Sequence, residues 1–258
     1  MIKDYGISQR QACQMIKLPR SSYAYEPKPK DDGPVIEQLS LLVEKHPAIG
    51  FWKSYYRIRR KQYVWNHKKV YRVYCQMKLN IRRRHKKRLP ERVKQQLFQP
   101  EDFNQVWSID FMHDTLWDGS KYRILNIVDD YNREILAMEA DTSLPALRLI
   151  RTLDNLKQTR GLPQMIRTDN GPEFISQQLN DYCLENKIQL IFIQPGKPTQ
   201  NAYVERLNGN IRRELLNAYV FKSLKEVREK INDYVFDYNY ERPHDSLDQQ
   251  TPKDLIPL

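Results

Sequence analysis

Three acids sit where their surroundings make an acid unexpected. Asp110 lies inside VWSIDFMHDTL (106–116), between Ile109 and Phe111. That run reads as a strand, and a strand interior disfavours an acid that has no partner. Asp169 follows the short apolar run at 164–168, and Asn170-Gly171-Pro172 then stop the strand. Glu205 stands next to Val204 on a helix predicted over about 200–216, where Asn201, Glu205, Asn208 and Arg212 share one face. Three carboxylates brought from two strands and a helix to one sheet end repel each other. They stay ionised only beside a compensating cation. Oxygen donors without Cys or His suit magnesium or manganese. Two such ions, roughly 4 Å apart, can activate a nucleophile and stabilise a leaving oxygen on a phosphodiester. Singly, each acid has a plainer reading: Asp110 as a strand-edge residue, Asp169 as a turn cap in D-N-G, Glu205 as helix surface.

The elements that must position these acids are legible from pattern. Segments 106–116, 121–131 and 134–140 are β-prone, with turns of two to four residues between them, and predict antiparallel hairpins. A helix over 144–160 carries Leu149, Leu153 and Leu156, and Gly161 ends it. Strand 164–168, helix 176–186, strand 188–193 and the helix at 200–216 follow, and a last helix spans 223–239. The order β-β-β-α-β-α-β-α predicts an α/β core: one mixed sheet with helices on both faces, over 103–220. A C-terminal helix and tail occupy 221–258.

The N-terminal part has another texture. Residues 5–26 read as two short helices with Ser8 as an N-cap, and 27–34 as a linker, so 1–34 forms a short helix-turn-helix-like segment. Helices at about 35–45, 52–61 and 67–78, the last capped by Asn66, predict an all-α helix-turn-helix-like module over 35–94, with 95–102 as a linker. Residues 52–94 hold 17 Lys+Arg and one acid, net +16, while the 258-residue chain is +11. The remainder is therefore net −5, so a basic element is joined to a mildly acidic body. Tyr55, Tyr56, Tyr63, Trp65, Tyr71 and Tyr74 interleave these charges, which favours a folded module over a disordered basic tail.

Composition excludes several classes. Hydrophobic residues make up 40%, enough for a core, although the mean hydropathy is −0.77. No apolar run of 18 residues and no signal-peptide core occur, so no membrane partner is expected and the expected location is cytoplasmic. Cys13, Cys75 and Cys183 are isolated, and no His/Cys spacing suits zinc.

WSIDF (107–111), NIVDDYNRE (126–134), IRTDNGPEF (166–174) and QPGKPTQNAYVERLNGNIRRELLN (194–217) resemble the catalytic core of bacterial insertion-sequence transposases. The tail DYNYERPHDSLDQQTPKDL (237–255) resembles the same group's C-terminal signature. The chain is identified as a member of the IS-three family, second-frame product, within the retroviral-integrase-like DDE superfamily. The resemblance implies a ribonuclease-H-like core in which Asp110, Asp169 and Glu205 are the acidic triad holding two magnesium ions, with manganese able to substitute. The 35 residues between Asp169 and Glu205 match the family spacing. Asp129 and Asp130 match a motif outside the triad and read as structural or substrate-adjacent.

The implied activity is DNA strand cleavage followed by strand transfer at element ends, first joining one end to the other and then inserting a circular intermediate. DNA is the implied partner, with a homo-oligomer formed on it. Candidate DNA contacts are Arg57, Arg59, Arg60, Lys68, Lys69, Arg72, Arg82, Arg83 and Arg84 in the basic module, and Lys197, Arg206, Arg212, Arg213 and Arg242 near the triad. A solvated helix face is the plainer reading for each of the latter five. No sustained heptad is present, so a first-frame product supplying a leucine zipper is the expected fusion partner. Two rival readings remain: a ribonuclease-H-type nuclease that cuts without joining, and a DNA-binding regulator with an idle core.

Overall fold

The computed structural model describes residues 6–26, 31–81, 100–193 and 201–256. Along β1 (Val106–Thr115) alternate side chains go to opposite faces. Trp107 and Ile109 enter one apolar cluster and Met112 the other. By the same alternation Asp110 falls on the Met112 side. β1 pairs antiparallel with β2 (Lys121–Asp129), Asp110 lying opposite Asn126. β2 pairs antiparallel with β3 (Ile135–Asp141), while β4 (Met165–Thr168) and β5 (Gln189–Phe192) add in parallel. The five-stranded order is β3-β2-β1-β4-β5.

Both faces are covered. α6 (Ala146–Thr159) and α7 (Gln177–Glu185) bury Leu149, Leu153, Leu179 and Cys183 against Trp107, Ile109, Leu125 and Ile127. On the other face lie α8 (Ala202–Ile211) and α9 (Leu224–Phe236). They bury Val204, Leu207, Ile211, Val227 and Ile231 against Met112, Ile124, Val128 and Ile135. The last helix thus shares one core with the sheet.

Ahead of the sheet, α1 (Gln9–Met15) is closed by a capping box of Ser8 with Gln11, and α2 (Arg20–Tyr23) is a single turn. α3 (Gly33–Lys45), α4 (Phe51–Arg60) and α5 (His67–Gln76) pack around Val35, Leu39, Ile58, Val70 and Val73. The Asn66 side chain accepts from the Lys68 amide, capping α5. Among the described residues no helix is long and apolar enough to cross a membrane.

Two predicted helices end differently from expectation. The backbone of α8 widens into a π-helical turn at Arg212–Leu216, and that of α9 into one at Asp237–Glu241. The Asn217 amide reaches back to the Arg212 carbonyl and that of Arg242 to Asp237, five residues each. Such wide turns often accompany functional or strained segments. Here they carry Glu214 and Asp237, the carboxylates that meet cations of the basic module.

Candidate active site

Asp110 is held from two sides. Its Oδ1 accepts from the Phe111 amide at 2.8 Å, and its Oδ2 from Asn208 Nδ2 on α8 at 2.7 Å. Asn208 Oδ1 in turn accepts from Asn126 Nδ2 at 2.7 Å. Asn126, fully buried on β2, thus orients Asn208, which orients Asp110. Burial pushes the Asp110 carboxyl up and the Phe111 amide pulls it back. The Asp169 and Glu205 carboxylates push it up again and Asn208 opposes them, leaving it at about 6.

Asp169 follows β4 directly, and its Oδ1 accepts from the Gly171 amide at 2.9 Å. A Cβ at Gly171 would stand 3.0 Å from that oxygen and 3.3 Å from Phe174 Cδ2, so the turn leaves room for hydrogen alone. Asn170 Nδ2 bonds the Ile193 carbonyl at 3.0 Å, tying the turn to the end of β5. Phe174 stacks on Phe111, and Arg123, paired with Glu173, lies over the Phe111 ring. Glu205 stands exposed in the first turn of α8, its carboxyl raised by partial desolvation.

The donor set is oxygen only, as a hard divalent cation prefers. Positive charge placed there would reverse the mutual repulsion that raises Asp110. Among the described residues, no three His, Cys, Asp or Glu side chains lie together tightly enough to hold an ion in this conformation.

The basic residues divide. Arg57 is a correction: it is 8% exposed and its guanidinium meets Asp237 at 2.7 and 2.6 Å, so it joins the module to the tail rather than facing DNA. Arg242 is a second, 3% exposed and paired with Glu214, which also takes Lys53. Each is drawn in by the carboxylate it bonds, the buried Asp237 for Arg57 and the half-buried Glu214 for Arg242. Arg60 pairs with Asp254, Arg72 with Asp32, and Arg212 with Asp114. Lys69 donates to the Asp31 carbonyl and Arg213 to Asn210 Oδ1. Arg59, Lys68 and Arg206 are exposed and have no side-chain partner among the described residues. Arg82, Arg83, Arg84 and Lys197 lie outside the described residues.

Sequence reasoning placed Asn208 on the right face but gave it no task, and passed over Asn126. An amide inside the apolar run RILNIVDD was the available signal. Asp129 and Asp130 are fully buried, Asp129 on Arg160 at 3.2 Å and Asp130 on Arg167 at 2.7 Å. They brace the sheet.

The mixed five-stranded sheet with helices on both faces is the ribonuclease-H-like fold of integrase cores. Two family models described as integrase core domain match residues 100–198 and 186–252. An insertion element IS407 uncharacterized 31.7 kDa protein of Burkholderia multivorans is 37% identical over 251 residues, 97% of this chain and 91% of that one. An insertion element IS476 uncharacterized 39.2 kDa protein of Xanthomonas euvesicatoria is 35% identical, covering 98% of this chain and 73% of that one. A transposase for insertion sequence element IS904 of Lactococcus lactis is 28% identical, covering 62% of this chain and 64% of that one. A chain from the simian T-cell lymphotropic virus intasome, solved in complex with PP2A regulatory subunit B56 gamma, superposes with a TM-score of 0.54 at 22% identity. It covers 63% of this chain and 60% of its own length, a likeness of fold. The chain belongs to the insertion-sequence transposases of the retroviral-integrase-like DDE superfamily. Its class is the polynucleotidyl transferases of DNA transposition and integration.

Proposed function

We propose that this chain cleaves DNA strands at the ends of an insertion sequence and transfers them, with Asp110, Asp169 and Glu205 as the cation-holding carboxylates. The observation that carries this reading is electrostatic. Asp110 is half-buried, pushed up to about 6 by desolvation first, and feels both Asp169 and Glu205. A carboxyl whose charged form is disfavoured by desolvation and by two further carboxylates is compensated when a cation binds beside it. Two magnesium ions, or manganese in their place, would supply that compensation, activate the attacking oxygen and stabilise the leaving one.

The chain's own residues do the positioning. Asn126 and Asn208 fix the rotamer of Asp110, and the Gly171 turn fixes that of Asp169. In the first step water attacks a phosphodiester and a 3′-hydroxyl leaves. In the second that hydroxyl attacks another phosphodiester. Each broken P–O bond is matched by a new one, so no nucleotide cofactor is needed. Arg59, Lys68 and Arg206 are the free cations to meet DNA phosphates, with Arg82, Arg83, Arg84 and Lys197 as further candidates. Pairing two ends calls for at least two protomers, and a first-frame product is a further candidate partner. The reaction belongs in the cytoplasm, where bacterial DNA lies.

The test is a strand-transfer assay with labelled duplexes carrying the element ends, magnesium, and Glu205→Gln as control. Joined products from wild type alone are expected. Cutting without joining would replace the reading with that of a nuclease. End binding without chemistry in either protein would favour a regulator.

A further inference from the structure

The motif NIVDDYNRE places four charged residues, Asp129, Asp130, Arg133 and Glu134, at and beyond the end of β2. Three are matched: Asp129 and Glu134 by Arg160, Glu134 also by Lys253, and Asp130 by Arg167. Arg133 forms no ion pair among the described residues. Its guanidinium stacks on the Tyr203 ring, 3.6 Å from the centroid, and its Nη1 is buried with no hydrogen-bond partner. Its backbone is left-handed, φ +65°, a conformation Gly or Asn adopts more readily than Arg. A residue kept in such a conformation points to a use for its side chain.

Arg133 faces an open pocket between the β2–β3 turn, α8 and residues 243–246. Arg206, Asn210 and Ser246 line it with donors, Lys53 and Arg242 add positive charge, and Asp245 is its one acid. Arg242 is answered by Glu214, and Lys53 shares that carboxylate. Arg133 feels the Asp130 charge but bonds no carboxylate, and Arg206 has no ion pair among the described residues. The His244 imidazole, also in the wall, is held down at about 4 by burial and then by Arg242, as a positive surrounding requires. Arg206 adjoins Glu205 on α8, one helical step of about 100° and 1.5 Å away. The pocket therefore borders the flank of α8 beside Glu205.

We propose that this pocket binds a backbone phosphodiester of the DNA strand lying along α8, with Arg133, pre-oriented on Tyr203, as its principal donor and Arg206 as the second. The inference rests on the transposition reading for the identity of the ligand. An Arg fork held flat on an aromatic ring presents paired N–H donors suited to phosphate oxygens.

Arg133→Asn removes the cation and suits the left-handed turn, so the fold is retained. Two titrations test the pocket, both with EDTA present: inorganic phosphate followed by thermal shift, and a fluorescent element-end duplex followed by anisotropy across a salt series. In wild type, phosphate raises the melting temperature and Arg133→Asn abolishes that rise. The variant binds the duplex about tenfold more weakly, and its log K against log salt slope falls by about one. Arg133→Lys recovers part of both. Wild-type phosphate response, affinity and slope in Arg133→Asn would overturn the proposal. Arg133-dependent phosphate binding by a chain that ignores DNA would overturn the transposition reading and leave the anion pocket standing.

Discussion

Asn208 Nδ2 donates to Asp110 Oδ2 at 2.7 Å, across the gap between α8 and the middle of β1. The bond joins the helix bearing Glu205 to the strand bearing Asp110, so the two acids cannot shift independently. Asn208→Ala is expected to lower strand-transfer kcat at least tenfold. The stability cost is only about 1 kcal/mol, because the bond is partly buried. Single-turnover joining and urea unfolding of the same protein check both parts. A full rate with the expected loss of stability would reduce Asn208 to a packing residue.

Asp110→Asn is expected to stabilise the cation-free protein while abolishing joining. The folded carboxyl titrates near 6 against an ordinary value of 3.8. Between these values the folded state holds a proton that the unfolded state has lost, so stability falls as pH rises through that window. The variant should therefore gain roughly 1–2 kcal/mol over wild type above pH 6, and no more than a trace below pH 4. Melting temperatures in EDTA across pH 4–8 measure the difference.

Gly171→Ala puts a methyl 3.0 Å from Asp169 Oδ1 and 3.3 Å from Phe174 Cδ2. The side chain of Asp169 must turn away or the loop must move. Activity should drop about 10- to 100-fold, as expected for a reacting group displaced by about 1 Å. Wild-type kinetics in this variant would show that the Asp169 turn tolerates more freedom than its geometry suggests.

Arg57→Ala strands the Asp237 carboxylate in a buried place and is expected to cost about 3–5 kcal/mol. Burial pushes Asp237 up, yet the Arg57 hydrogen bonds and charge hold it below its usual value, so the pair is ionised. The double substitution Arg57→Leu with Asp237→Leu should return most of the loss. Chemical denaturation of the four proteins gives the coupling directly.

Acid should act through two buried histidines. Burial holds His46 and His244 at about 4, against 6.5 when free. Between 6.5 and 4 the unfolded chain takes protons that the folded chain refuses, so these residues cost stability as pH falls through that range. Replacing either with Gln should remove roughly 1–3 kcal/mol of the acid-side loss, read as the difference from wild type at each pH. Asp110 and Asp130, both raised to about 6, act in the opposite direction over part of this range, which is why single variants and not the bare profile are informative.

The sheet was legible because alternation is local. VWSIDFMHDT and KYRILNIVD carry their face assignment in their own periodicity, and short turns leave only hairpins between them. Ser8 and Asn66 announced their helices through chemistry confined to three residues. Asp110 stood out as an acid inside an apolar strand, whereas Asp169 and Glu205, taken singly, read as a turn cap and as helix surface. Arg57 and Arg242 were not legible. Nothing within ten residues of Arg57 announces Asp237, 180 positions away, so a cation inside a basic run looks like every other cation in it. The π-helical turns were equally silent, since one extra residue per turn leaves the apolar stripe nearly unchanged.

The placement of α9 has a consequence for synthesis. β1, β2 and β3 are complete by residue 141, yet Met112, Ile124, Val128 and Met138 are covered in part by Val227, Ile231 and Tyr234. Until α9 leaves the ribosome, the nascent sheet presents part of this apolar face uncovered, and contacts this distant in sequence form slowly. An interrupted message therefore yields a sticky fragment rather than a freely acting enzyme. Synthesis of α9 is itself a gate on when the sheet's core can close.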